Sequence, residues 1–304
     1  MRVSLITESP AHPEFAPMIE KAVEAAAPHV EEITELPLPE EVRVRLTYRT
    51  GFVFDVIAEQ RRGLERDLDE LDLSEREATD LRALLMAREE DLDRHWMLAG
   101  ANTLVEGNGH REQPVILFMP DALYHQGAGQ HEITMIVANE LCHILQHHAG
   151  GGVISRAHTM ACPELRGVAG YSHFVASGHA LWCAQQVTQR LFGRQVGREP
   201  TGRASDAFKR YVRDELIPEQ EQRAETAPEP LSRVWVPGRA STIDPPHEVY
   251  ETGARWVAAV TERDGGLDRL NACWSDLSLL PTIEEARDVT VWWKRVTAQA
   301  PTAA

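Results

Sequence analysis

The chain reads as an α+β protein, a small twisted sheet packed among long helices, and three features predict it. Val42, Val44, Leu46 and Tyr48 alternate with Arg43, Arg45, Thr47 and Arg49, the period of a strand with a core side and a solvent side. The apolar run 115–119, between Pro114 and Pro120, has the length and flanks of a buried strand. Most of the remainder carries helical periodicity, and 304 residues are ample for a sizeable core.

Taken in order, residues 1–7 predict a strand. A helix follows through Met18, Ile19, Val23 and Ala26 until Pro37 and Pro39 close it. After the alternating strand, Phe52 to about Val105 reads as helical and strongly charged. Ser74 and Glu77 form a capping box that opens a helix through Leu81, Leu84, Leu85, Leu92 and Trp96. The buried strand at 115–119 leads through Gly127 and Gly129 into a helix over about 131–148, which Gly150, Gly151 and Gly152 terminate. A second helix is predicted from Ser172 to Phe192. Residues 193–246 carry a short helix near 205–216 and then a Pro- and Glu-rich linker, and the tail is helical again at about 248–263 and 284–297. The pattern divides the chain into an N-terminal α+β part, 1–152, and a helical C-terminal part, 153–304, that closes a cleft.

A formal charge of −16 repels nucleic acid and anionic membrane alike, so neither is an expected partner. The start meets Glu8 and Pro10 too soon for a secretory segment, and no apolar run approaches a membrane span, which predicts a cytoplasmic location. Cys142, Cys162, Cys183 and Cys273 lack C-x-x-C spacing and read as reduced, partly buried thiols.

The chemistry concentrates on the helix at 131–148. At about 100° per residue, Asn139, Glu140, His143, Gln146 and His147 share one stripe, while Ile133, Val137, Leu141, Ile144 and Leu145 form the opposing apolar one. The polar stripe therefore faces a common space inside the protein. Cys142 and His143 are adjacent, so their side chains diverge by about 100° and make a poor thiolate–imidazole pair.

Residues 139–146, N-E-L-C-H-I-L-Q, resemble the H-E-L-x-H-x-x-Q helix of the gluzincins, zincin-like metallopeptidases of the peptidase MA type whose third zinc ligand is a downstream glutamate. In many of them that glutamate opens an E-G-x-A motif; the matching segment here is S-G-H-A, starting at Ser177. The run from Tyr250 to Val257, with Gly266 to Asn271, Trp274 and Leu280 to Glu285, is similar to the tail of the same proteins, in particular an actinobacterial zincin family associated with deazaflavin-cofactor biosynthesis. The resemblance covers about 114–192 and 247–296.

It implies a zincin-like fold with a degenerate zinc site. Asn139 stands where the first histidine ligand belongs and Ser177 where the glutamate belongs, so two of three strong ligands are replaced and tight zinc binding in the ancestral geometry is not expected. Glu140 keeps the position of the general base, His143 that of the second histidine, and Tyr250 that of a tyrosine which polarises the substrate carbonyl. Asn139, Ser177 and His173 become substrate-contacting positions. His179 lies about 200° round the helix from Ser177 and reads as a structural or surface histidine. Zinc enters only if the site has moved one turn along, to His143, His147 and His173, which would make the chain a metal-dependent hydrolase. Otherwise two readings stand: a non-peptidase acid/base enzyme acting without a cofactor on a small-molecule or peptide-derived substrate, or a non-catalytic binding or regulatory pseudoenzyme.

Overall fold

The computed structural model describes residues 1–107, 112–158, 172–197, 203–219, 222 and 247–298; the side chains at 158, 172, 173, 247–249 and 283 lie outside that set. Strands β1 (Arg2–Thr7), β2 (Glu41–Leu46) and β4 (Gln113–Phe118) run parallel, and β3 (Ala101–Glu106) adds antiparallel to β4, giving the order β1-β2-β4-β3. The sheet is thus mixed, with its antiparallel strand on an edge.

Strand β3 corrects the helical reading of the whole Phe52–Val105 segment. The helices α2 (Arg49–Glu70) and α3 (Glu75–Arg94) end before it, and the predicted capping box at Ser74 is formed, with Glu77 N–H on Ser74 Oγ and Ser74 N–H on Glu77 Oε2 at 2.8 Å. Between Gly100 and Gly107 the six residues Ala-Asn-Thr-Leu-Val-Glu are too short for a helix of their own, and pairing with the buried β4 decides their conformation.

Helices cover both faces of the sheet. On one, α1 (Phe15–Thr34), α5 (Gln130–Ala149) and α7 (Ser172–Phe192) bury Ile19, Val23, Val44, Phe118, Leu141 and Ala184 in a single cluster, which joins segments from either side of residue 152. On the other, Phe52, Val56 and Ile57 of α2 and Leu92 of α3 pack on Leu104, Val115 and Leu117. The arginine side of β2, read above as solvated, is therefore roofed by α2. Arg45 tolerates this because Asp55 of α2 meets its guanidinium at 2.9 Å, with Glu8 and Glu106 as further partners.

The C-terminal part is helical: α9 (His247–Thr261), α10 (Gly266–Ala272), α11 (Ile283–Arg287) and α12 (Val289–Ala298) gather Trp256, Val257, Trp274 and Trp292 around Phe174 of α7. Helices α7 and α9 cross at two glycines. A Cβ on Gly253 would stand 2.5 Å from the Phe174 carbonyl oxygen and 3.0 Å from Gly178 Cα, so the backbones themselves are in contact. Further short helices are α4 (Pro120–Gln126), α6 (Val153–His158) and α8 (Asp206–Tyr211), the last followed by a π-helical turn over Val212–Leu216. Most of the predicted linker within 193–246 lies outside the described residues. Among the described residues no helix is long and apolar enough to cross a membrane.

Candidate active site on the central helix

Helix α5 forms as its sequence dictates. Glu132 in the first turn accepts the Gly129 N–H at 2.9 Å, and Gly150 caps the other end. Ile133, Val137, Leu141, Ile144 and Leu145 are all buried, as their periodicity requires. The polar stripe is deep as well: Asn139 is 2% exposed, Glu140 6% and Gln146 1%, whereas His143 is only partly covered.

The edge strand reaches this stripe. Thr103 of β3 donates its hydroxyl to Glu140 Oε2 at 2.7 Å, fixing one carboxylate oxygen in a buried setting. Thr103 was missed above because β3 itself was missed; an Asn-Thr-Leu-Val stretch between two glycines is a strand signal that could have shown it.

One turn on, Gln146 orients His143. Its Nε2 donates to the Ala176 carbonyl of α7 at 2.9 Å and lies 3.0 Å from His179 Nδ1, so the amide oxygen faces His143 Nδ1, at 3.0 Å. A carbonyl can only accept, which fixes the amide orientation and places a proton on His143 Nδ1. In the neutral ring the lone pair is then on Nε2. His179 is the structural histidine of the two readings offered for it: fully buried, between Trp182 and Trp274, with Cys142 Sγ 3.3 Å from its Nδ1. Burial, and secondarily the charge of His143, press its pKa down to about 3, so the ring stays neutral. Burial also pushes the Cys142 thiol well above its ordinary range, which makes it an inert core residue and no nucleophile.

Ser177 is buried on α7, and its place round the helix is informative. Seven residues before Ala184, it lies within about 20° of that residue, which packs in the same cluster as α5. The stripe carrying Asn139, Glu140 and His143 and the stripe carrying Ser177 therefore belong to two packed helices. Tyr250 is partly buried on α9, close enough to Arg88 of α3 to influence it electrostatically. Burial lowers the Arg88 pKa, and Tyr250, Glu59 and Asp91 oppose that shift. His147 is drawn away from the stripe: its Nδ1 pairs with Ser155 Oγ at 2.9 Å, and burial lowers its pKa. The side chain of His173 lies outside the described residues, so the trio His143, His147 and His173 is not assembled among them.

Among the described residues, the group able to hold a metal ion is a different one: Asp91, His95 and Glu219, whose ligand atoms lie within 4.8 Å of one another.

The free edge of β3 is also engaged by α2. Glu59 Oε1 accepts the Val105 N–H at 2.6 Å, and Arg62 donates to the Val105 carbonyl at 2.7 Å. Burial raises the Glu59 pKa to about 7, the hydrogen bond from Val105 offsetting part of the shift. A folded-state pKa above the unfolded one means that the native state binds the extra proton. Stability from this group is present below about pH 4.5 and is lost as pH rises through about 7. Glu59→Gln keeps the acceptor and removes the charge. It should stabilise the protein at pH 8 by on the order of 2 kcal/mol, and the gain should vanish near pH 4.5 in thermal melts. An equal gain at both pH values would disprove the assignment. The carboxylate lines an open groove of about 410 Å³ with Ser155 and Arg156.

No sequence-family profile matches the chain, and no curated protein sequence does. A crystal structure from Chloroflexus aurantiacus, described as that of a candidate hydrolase with a novel fold, superposes with a TM-score of 0.53 at 14% identity, covering 95% of this chain and 92% of that one. At that identity the likeness is one of fold: this chain shares its α+β architecture with the Chloroflexus protein over nearly its whole length.

Proposed function

We propose that the protein is a degenerate gluzincin-type hydrolase whose α5 stripe works as an acid/base site without the ancestral zinc. The observation that carries this reading is the presence on one helix of a buried, Thr103-bound Glu140 and a His143 whose tautomer Gln146 fixes. Glu140 is the proton acceptor, and His143, presenting Nε2, is its proton-transfer or hydrogen-bonding partner. Asn139, an amide where a metal ligand belongs, can donate and accept hydrogen bonds to a polar substrate, as Ser177 can from α7. Tyr250 would contribute from α9. The substrate class is a small molecule or a peptide-derived one with a polarised carbonyl, and the hydrolase description of the Chloroflexus protein is compatible with this chemistry.

A second reading, a non-catalytic binding or regulatory protein, draws on the same replacements at Asn139 and Ser177, since a cleft relieved of catalysis has no need of its ligands.

Restoring the ligands tests the descent. Asn139→His with Ser177→Glu should bind one zinc equivalent more than the parent by elemental analysis and calorimetry, because His143 already carries the tautomer a ligand requires. A normally folded double variant with the parent's zinc content would mean that Ser177 does not occupy the glutamate position.

A further inference from the structure

We propose that Asp91, His95 and Glu219 bind a divalent first-row transition ion, zinc more tightly than manganese, as a clasp between α3 and the Asp206–Glu219 segment. The site is separate from the α5 stripe and does not rest on its reading.

His95 caps α3, its N–H bonded to the Asp91 carbonyl at 2.9 Å, and the i, i+4 spacing sets both side chains on one face. The ring Nε2 lies 3.3 Å from Asp91 Oδ1 and 3.1 Å from Glu219 Oε2. Ligands held about 2.1 Å from one ion, at angles between square and tetrahedral, are themselves separated by roughly 3.0–3.4 Å, so both separations suit a shared ion. The other ring nitrogen is already held: Nδ1 is 2.6 Å from the Tyr211 hydroxyl. A metal-ligating histidine characteristically has its second nitrogen bonded in this way, which fixes the ring and leaves the opposite lone pair for the metal.

The backbone supplies an independent observation. Tyr211 and Glu219 both converge on His95, yet eight residues apart on a regular α-helix they would be about 80° out of register. The π-helical turn over Val212–Leu216 lies between them. Each of its residues turns the chain by less than an α-helical residue, so it rotates Glu219 back towards the side that Tyr211 occupies. Such turns are rare and recur at functional positions.

The carbonyl end of α3 favours a cation at this point. One imidazole with two carboxylates is a borderline donor set suited to zinc and manganese, and the usual affinity order places zinc above manganese. Three protein ligands leave a position for water.

The full-length protein, stripped with chelator, should take up one equivalent of zinc by calorimetry. Its melting temperature should rise with zinc concentration, and cobalt should give a visible spectrum. Glu219→Gln and His95→Gln should abolish the uptake, Tyr211→Phe should weaken it by about 10- to 100-fold, and His147→Gln should leave it unchanged. Glu219 lies on the partly exposed side of the cluster, so that variant carries the test even if His95→Gln fails to fold. No saturable uptake up to millimolar zinc, uptake undiminished in a folded Glu219→Gln protein, or uptake lost in His147→Gln would each overturn the proposal.

Discussion

Glu140→Gln is expected to lower turnover by a factor on the order of a hundred or more while leaving the fold and ligand binding intact. The amide nearly matches the carboxylate in shape and its oxygen can still accept the Thr103 hydroxyl, so the buried hydrogen bond survives. What it cannot do is take up a proton, and a positioned proton-transfer group contributes roughly 10²–10⁴-fold to a rate. The measurement is kcat for the wild type and the variant on any amide or ester substrate that the protein turns over, beside calorimetric binding of a non-reactive analogue. An unchanged kcat in a folded variant removes Glu140 from the mechanism. If ligands bind but no turnover is found in the wild type, the protein is the binding module of the second reading.

The largest structural effect is expected at the α7–α9 crossing. Gly253→Ala places a methyl group 2.5 Å from a backbone carbonyl and 3.0 Å from Gly178 Cα, and neither neighbour can rotate away as a side chain could. The helices must separate, at about 3 kcal/mol or more, the upper part of the overpacking range. For a chain of this size that corresponds to a fall in melting temperature of roughly 5 °C or more. Ligand binding should weaken in parallel, because Tyr250 stands one turn before the crossing and moves with α9. A variant melting with the wild type would mean that the two backbones are not in contact in solution.

Much of this architecture was legible wherever one periodicity ran unbroken. The Val42–Leu46 alternation, the apolar run at 115–119 and the stripes of α5 specify their elements locally, and each is present within a few residues of its predicted bounds. Strand β3 was not legible, because its six residues follow two long charged helices and owe their conformation to β4. For the same reason the site was half visible. Glu140 and His143 share a helix and a motif, whereas Thr103 reaches Glu140, and Ala176 and His179 reach the Gln146 that orients His143, only through the packing of α5 against the sheet edge and α7. The roofing of Arg45 was hidden too, since alternation marks an arginine as polar but not the helix carboxylate that covers it. The Asp91, His95 and Glu219 group joins residues more than a hundred positions apart, and a turn of unusual pitch brings the last into place.

The bonds that α2 makes to Val105 also govern how this protein meets other chains. An outer strand offers its outward peptide groups to any extended segment that passes, and this is how sheets grow into aggregates. At Val105 both groups are already taken, the N–H by Glu59 and the carbonyl by Arg62. A foreign strand laid along β3 would gain no ladder bonds there, so continuous edge-to-edge growth is interrupted at the Glu106 end, and an approaching peptide is confined to the half of the strand that carries Thr103 and points towards Glu140.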